Sequence, residues 1–158
     1  MTAPGLMKRV LGVDFGQARI GVAVSDELGM LAHPVETVLA VPADKAARRI
    51  AELARDKDVS DVVVGLPRHM SGGAGEAAAA VEAFVEKLRP LLSCSVILWD
   101  ERLSTTAANR ALRDVGRKTR NTRGVVDQVA AQIILQGYLD RMQSRRENAL
   151  PRGMPPLP

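Results

Sequence analysis

The sequence contains a single cysteine, Cys94, and only two histidines among its 158 residues. One cysteine excludes an internal disulfide and any metal site built from several thiolates, which is typical of a protein of the reducing cytoplasm. Neither histidine stands in a recognisable partner motif for a thiol nucleophile. We therefore expect Cys94 to be a partly buried and chemically inert side chain.

Long hydrophobic runs are also missing. No apolar stretch reaches the roughly eighteen residues that cross a bilayer, and the first residues lack a basic segment followed by an apolar signal core. We therefore expect a cytoplasmic protein without a membrane partner. The length and the 46% apolar content suit one domain with one ordinary core, over residues 1–141. Residues 142–158, which are rich in proline, are predicted to form a disordered tail.

Aromatic residues make up only 3% of the chain. Proteins that read unpaired bases usually offer aromatic platforms on which the bases stack, so this scarcity favours recognition of backbone and shape over sequence. Phe84 and Trp99 are predicted to lie in the core. Phe15, in a turn beside Asp14, is the remaining candidate for stacking on a base.

Basic residues outnumber acidic residues by 22 to 18, and the sequence pI is about 9.7. A net positive charge favours a polyanionic partner. The excess is concentrated in one segment that is also rich in Gly, Asn and Thr and is opposed only by Asp114: Arg110, Arg113, Arg117, Lys118, Arg120 and Arg123. Taken alone, this basic loop is explained equally well as a solvated charged surface or as a set of phosphate contacts.

The apolar periodicity predicts an α/β fold. Two β-branched runs at residues 10–13 and 20–24 flank a hairpin turn, and residues 30–39 extend them into an antiparallel meander. Continuous apolar runs at 61–66 and 95–99 are typical of buried parallel strands. Helical spacing is found between and after these strands, at 42–57, at 77–88, after a cap at Ser104, and at 124–142. The order predicts a mixed five-stranded sheet with helices on both faces.

Three acidic residues are expected near one edge of this sheet. Asp14 interrupts the first strand, Glu101 follows the fifth, and Asp127 is predicted to lie in the first turn of the last helix, on a stripe that faces the sheet. Each has an ordinary explanation alone: Asp127 can interact with the helix macrodipole, and Glu101 can pair with an arginine. Together they form an oxygen-only constellation that suits Mg²⁺ or Mn²⁺. Two such ions can drive phosphodiester hydrolysis without a protein base.

Four ordered motifs carry a resemblance to a known family: DFGQARIGVAVSD at 14–26, VVVGLP at 62–67, DERLST at 100–105 and DQVAAQIILQGYLD at 127–140. Over residues 7–141 the chain is similar to the YqgF/RuvX family of RNase H-like (RuvC-like) nucleases. That family is described both as Holliday junction resolvases and as nucleases that mature the small-subunit ribosomal RNA precursor. The resemblance implies an RNase H-like sheet and a metal-dependent endonuclease.

The resemblance also implies residue roles. It makes Asp14, Glu101 and Asp127 the catalytic metal ligands. Arg19 and Arg102 resemble arginines near the site and either hold the scissile phosphate or pair with a carboxylate. Nucleic-acid contacts are also assigned, less directly, to residues after the acidic turn and in the basic loop: Ser104, Thr105, Arg117, Lys118, Arg120 and Arg123. For Ser104 and Thr105 a helix cap is the simpler role.

Departures from the family pattern leave the loop contacts open. The basic loop, KTRNTRG, has fewer lysines than is usual, and His69 stands where asparagine is common. The leading hypothesis is an endonuclease for structured nucleic acid, either precursor rRNA, with the pre-ribosomal particle as partner, or branched DNA. The alternatives are a non-catalytic nucleic-acid or ribosome-binding module and a fragment of a phosphotransfer enzyme. The sequence leaves monomer and homodimer equally open.

Overall fold

A computed structural model describes residues 9–67, 74–103 and 123–149 of the chain. Its centre is one five-stranded sheet, in the spatial order β3-β2-β1-β4-β5. The strands are β1 (Arg9–Phe15), β2 (Arg19–Ser25), β3 (Ala32–Leu39), β4 (Val59–Leu66) and β5 (Ser95–Asp100). β1, β2 and β3 form an antiparallel meander, whereas β4 lies parallel to both β1 and β5. The predicted mixed sheet is therefore confirmed.

Three α-helices are described: α1 (Ala43–Asp56), α2 (Ala74–Leu88) and α3 (Arg123–Ala149). Short 3-10 turns, Arg89–Leu91 and Glu101–Leu103, follow α2 and β5. Pro42 occupies the N-cap of α1 instead of its first turn. The helix predicted after Ser104 lies outside the described residues.

The last helix is longer than the sequence suggested. It was predicted to end at Met142, with a disordered tail from there on, but α3 continues to Ala149. The tail prediction was therefore wrong for residues 142–149. The physical reason is that the segment between Gln143 and Ala149 consists largely of good helix formers, and the first proline comes only at residue 151.

Each face of the sheet has its own hydrophobic core. On one face, Leu11, Val13 and their neighbours pack under α1 and α2. On the other, Val10, Val63 and Trp99 pack under the stripe of α3 that the sequence predicted: Ala131, Ile134 and Tyr138, with Leu135 and Leu139. Helices therefore cover both faces, as expected, and α3 alone covers the second among the described elements.

Phe15 belongs to the first of these cores. Its ring stacks on that of Phe84, with ring centroids 4.9 Å apart. The hypothesis that Phe15 stacks on a base is therefore not supported, because its ring already has a stacking partner inside the protein. The core positions predicted for Phe84 and Trp99 are confirmed.

Helix α3 also covers the edge strand β3. The side chain of Gln136 accepts a hydrogen bond from the Ala32 amide (2.9 Å) and donates one to the Met30 carbonyl (2.8 Å), while Gln132 donates to the Ala32 carbonyl (2.9 Å). Gln128 reaches Thr37 (3.1 Å) one turn earlier. Backbone groups at the start of this edge strand, which could otherwise pair with another chain, are thus satisfied internally.

Cys94 is partly buried, as predicted, and burial raises the pKa of its thiol, which lowers the fraction of reactive thiolate.

In the part of the chain that the structure describes, no helix combines the length and the apolar character that a membrane span requires.

Candidate active site

Asp14 stands near the end of the central strand, on the face that α3 covers. Along β1 the side chains alternate: Leu11 and Val13 enter the core under α1 and α2, whereas Val10 faces α3. A side chain at Gly12 would meet Leu135 of α3. Asp14 lies on the same face of β1 as Val10 and Gly12, and it is half-buried. The carboxylate therefore lies under the start of α3.

A glycine on β2 brings Asp127 to this place. Gly21 pairs directly with Asp14 across the two strands. A Cβ atom on Gly21 would lie only 1.8 Å from the backbone oxygen of Asp127. The backbone of α3 thus rests on the bare backbone of β2, and any side chain at Gly21 would push Asp127 away from Asp14.

A second glycine makes room for Glu101 on the other side. Gly65 follows Val64, which pairs with Val13, so Gly65 flanks Asp14 on β4 as Gly21 does on β2. A Cβ atom on Gly65 would lie 3.3 Å from Oε1 of Glu101 and 2.5 Å from Cδ1 of Ile134. Glu101 begins the 3-10 turn after β5 and so reaches the site over Gly65.

The three acids affect one another electrostatically. The pKa of Asp14 is raised from 3.8 to about 7, first by burial, then by the negative charges of Glu101 and Asp127. The two neighbours are thus close enough to oppose ionisation of Asp14. The structure therefore brings together the three acids that the sequence singled out.

Asp127 differs from expectation in its position and in its partner. Because α3 begins at Arg123, Asp127 is the fifth helical residue, and no acidic residue lies in the first turn. The predicted first-turn position and its macrodipole explanation were wrong. Instead, Nε of Arg19 donates to Oδ2 of Asp127 at 3.1 Å. Of the two roles considered for Arg19, the structure shows the carboxylate partner.

The other candidate residues are less fully described. Arg102 lies in the turn after β5 and Arg123 begins α3. The remaining candidates all lie outside the described residues: Ser104, Thr105, Arg117, Lys118, Arg120 and His69.

The donor set at this site is chemically suited to a divalent cation. All three acids offer oxygen ligands, which hard ions such as Mg²⁺ and Mn²⁺ prefer. The raised pKa of Asp14 shows that its charge lacks sufficient compensation from the protein, and a bound cation would supply it. Within the described ranges, no three potential ligand side chains are close enough to enclose an ion as they stand. Side-chain movements would therefore have to bring the three carboxylates closer together around an ion.

Sequence reasoning missed Gly21 and Gly65. Both interrupt runs of β-branched residues, and an isolated glycine within a strand often marks a close approach of another backbone. That signal was present in RIGVAV and VVVGLP. It could not show what approaches, because the approaching residues are distant in the chain.

Comparison with known proteins identifies the family. The family model described as "RuvX: Holliday junction resolvase" matches residues 8–141. The chain belongs to the RuvX family. A relative from Roseiflexus sp. (strain RS-1), named "Putative pre-16S rRNA nuclease", is 48% identical over 132 residues, which cover 84% of this chain and 94% of the relative. A relative from Halalkalibacterium halodurans with the same name is 45% identical, covering 85% and 98%.

A solved structure confirms the fold of this RuvX-family chain. T. thermophilus RuvC, determined in complex with a Holliday junction substrate, superposes with a TM-score of 0.58 and covers 87% of this chain and 97% of RuvC. At 17% identity the likeness establishes the RNase H-like fold alone. The family assignment adds the reaction class, because RuvX proteins are nucleases and hence hydrolases.

Proposed function

We propose that this RuvX-family chain is an endonuclease, dependent on Mg²⁺ or Mn²⁺, that hydrolyses phosphodiester bonds in structured nucleic acid. We further propose that its substrate is the 5′ end of the 16S rRNA precursor, processed in the cytoplasm on a pre-ribosomal particle. The observation that carries the reaction is the placement of Asp14 between Gly21 and Gly65, with Asp127 over the first glycine and Glu101 beside the second. The names of the relatives support the substrate.

Each acid would have its own part in this reaction. Asp14 lies on the central strand, and Glu101 and Asp127 would complete the ligand set from either side. The three carboxylates would hold the ions, whose chemistry there would be activation of water and neutralisation of charge on the reacting phosphate. The net charge of +4 would assist by attracting the phosphate backbone.

Branched DNA is the second candidate substrate, and the description of the matching family model favours it. A junction resolvase is expected to act as a symmetric pair, because two strands must be cut, whereas an rRNA nuclease can act as a monomer. A monomeric mass in solution would therefore count against the resolvase before any substrate is tried.

The deciding experiment incubates the purified protein with a 16S precursor fragment and with a four-way DNA junction, each in Mg²⁺ and in Mn²⁺. We expect the wild type to cut the RNA and Asp14→Asn to cut neither. Asp44→Asn is the matched control, because Asp44 is an exposed aspartate on α1 whose partner is Lys87. Its cleavage should equal that of the wild type.

Other outcomes would change the conclusion. Cleavage of the junction alone would favour the resolvase. Binding that persists in chelator, without hydrolysis of either substrate, would indicate a binding module. Asp14→Asn cutting as well as the wild type would refute the metal-nuclease proposal. ATP binding in calorimetry would revive the phosphotransfer reading, which the sequence, lacking a Walker A loop, disfavours.

A further inference from the structure

Arg19 occupies a distinctive position beside the three acids. It is the first residue of β2, and its carbonyl accepts a hydrogen bond from the Gly16 amide (3.0 Å) that closes the hairpin turn. Because it lies two residues before Gly21, it shares the face of the sheet on which α3 rests. Asp127, above Gly21, therefore has Asp14 across the strand pair and Arg19 along the strand.

The contact between Arg19 and Asp127 is a partly buried ion pair. Nε of Arg19 lies 3.1 Å from Oδ2 of Asp127, and the two side chains are 35% and 26% exposed. The neighbouring turn residues Gln17 and Ala18 are exposed. The Arg19 side chain therefore contacts one of the three acids and is also partly exposed to solvent, from which nucleic acid would approach.

We propose that Arg19 is a placeholder cation. Its guanidinium group compensates the charge of Asp127 while no metal is bound. Once a divalent ion coordinates Oδ2 of Asp127, the Arg19 side chain moves and binds a phosphate of the substrate instead. This inference rests on the proposed function, since it assumes that Asp127 is a metal ligand. It assigns Arg19 both of the roles that the sequence offered as alternatives, one in each state of the site.

The charge of Arg19 has opposite effects on the binding of a divalent cation and on the binding of a phosphate. A unit positive charge next to Asp127 repels a divalent cation that approaches the same carboxylate, and it attracts a phosphate. An N–H donor on Oδ2 also has to leave before a metal can use that oxygen. Once released, the planar guanidinium presents paired N–H donors that match two phosphate oxygens. Arg19 should therefore weaken metal binding and strengthen substrate binding.

The test uses the full chain and three variants. Mn²⁺ affinity is measured by calorimetry without nucleic acid, and kcat and KM are measured with the 16S precursor fragment. We expect Arg19→Gln to tighten Mn²⁺ binding about tenfold, because a repelling charge is removed. The same variant should raise KM for the RNA by about tenfold, because a phosphate contact is lost. Arg19→Lys, which keeps the charge, should stay within about twofold of wild type for Mn²⁺.

Arg9→Gln is the matched control. Arg9 is the first residue of β1 and makes one ion pair of similar length with Glu27 (3.2 Å), and its side chain is 36% exposed. It lies at the end of β1 that is remote from Asp14. Its loss should change neither Mn²⁺ affinity nor KM, so the control separates a specific effect from the general loss of a positive charge.

The outcomes separate this inference from the proposed function. If the wild type binds Mn²⁺ and cuts RNA, but Arg19→Gln binds Mn²⁺ equally or more weakly, the placeholder role is wrong and the nuclease proposal stands. If Arg19→Gln fails to fold, Arg19→Lys decides: an Mn²⁺ affinity far from wild type in either direction overturns the inference. If the wild type neither binds Mn²⁺ nor cuts, the proposed function fails first.

Discussion

Asp14 is the residue whose environment says most about the site. Burial and two neighbouring carboxylates raise its pKa to about 7, so the folded protein tolerates its charge poorly in the absence of a cation. A side chain kept only for stability would not be expected in such a place. The acid is retained at a cost to the metal-free fold, which is typical of functional sites.

The raised pKa of Asp14 predicts a pH dependence of stability. Between pH 3.8 and about 7 the folded state holds a proton that the unfolded state has released. The contribution of Asp14 to the free energy of unfolding of the metal-free protein therefore falls as the pH rises across that interval. Above about pH 7 this contribution is constant. Asp14→Asn lacks this contribution, so its stability relative to the wild type should grow with pH up to about 7 and then remain constant.

Urea unfolding in chelator, at several pH values from about 4 to about 8, measures this difference. Taking the difference between the two proteins cancels the opposite contribution of Glu36, whose pKa is lowered by its hydrogen bond to Arg49. Addition of Mn²⁺ should stabilise the wild type and leave the variant nearly unchanged. If the difference in the free energy of unfolding between the two proteins does not vary with pH, the pKa of Asp14 is not raised by its surroundings. Marked unfolding of Asp14→Asn would indicate a structural role.

At the scale of elements, the site depends on how closely α3 approaches the sheet. Gly12, Gly21 and Gly65 lie on β1, β2 and β4, and an added Cβ at each would collide with α3. The helix is held over β3 by the glutamines at 128, 132 and 136. The glycines set the depth at which α3 packs, and the glutamines hold it against the edge strand. Together they place Asp127 opposite Asp14.

Gly21→Ala should therefore impair both stability and activity. The new Cβ would lie 1.8 Å from the backbone oxygen of Asp127, and backbone on both sides cannot yield as a flexible side chain can. We expect a loss of about 3 kcal/mol in the free energy of unfolding, as for a severe overpacking substitution. Residual cleavage in the folded fraction should be strongly reduced, because Asp127 is displaced from Asp14.

Gly75→Ala is the control for this substitution. Gly75 lies at the start of α2, and a Cβ there would meet nothing within 4 Å. An alanine in a helix is favoured over glycine by up to about 1 kcal/mol, so stability should be equal or slightly higher and cleavage unchanged. Denaturant unfolding and initial rates compare the two variants. Equal effects of both alanines would contradict the close approach of α3.

At the scale of the whole molecule, the net charge bears on the proposed binding of a polyanion. The net charge is +4, although the site itself contains three acids. Such a protein needs positive charge elsewhere to bring the nucleic-acid backbone in, and the segment from Arg110 to Arg123 holds the largest cluster in the sequence. The scarcity of aromatic residues agrees with recognition of backbone and shape.

Salt dependence tests this distribution. Replacement of Arg117, Lys118 and Arg120 by glutamine should weaken RNA binding and reduce the slope of log K against log salt by about 2 to 3, if each residue contacts a phosphate. Lys45, Arg48 and Arg55, exposed on α1, provide a control with the same change in net charge. Filter binding across a salt series should show a nearly unchanged slope for the control. Equal slopes for both triple variants would assign the loop to solvated surface.

The sequence by itself determined the secondary structure, the mixed sheet and the three acids. Hydrophobic periodicity is a local property, and it located every described strand and α-helix to within a few residues, apart from the C-terminal extension of α3. The carboxylates of Asp14, Glu101 and Asp127 could be singled out because the chain offers no histidine or cysteine constellation in their place. Their convergence followed from the order of the strands.

The tertiary structure alone decided what surrounds those acids. Arg19 and Asp127 are separated by 108 positions, so no local pattern could choose between a phosphate and a carboxylate as the partner of Arg19. The meaning of Gly21 and Gly65 likewise depends on which segment rests on them, and only the packing of α3 and of the turn after β5 supplies that information. Periodicity reports which side of an element is buried, whereas close contacts between distant segments arise only when the elements are assembled.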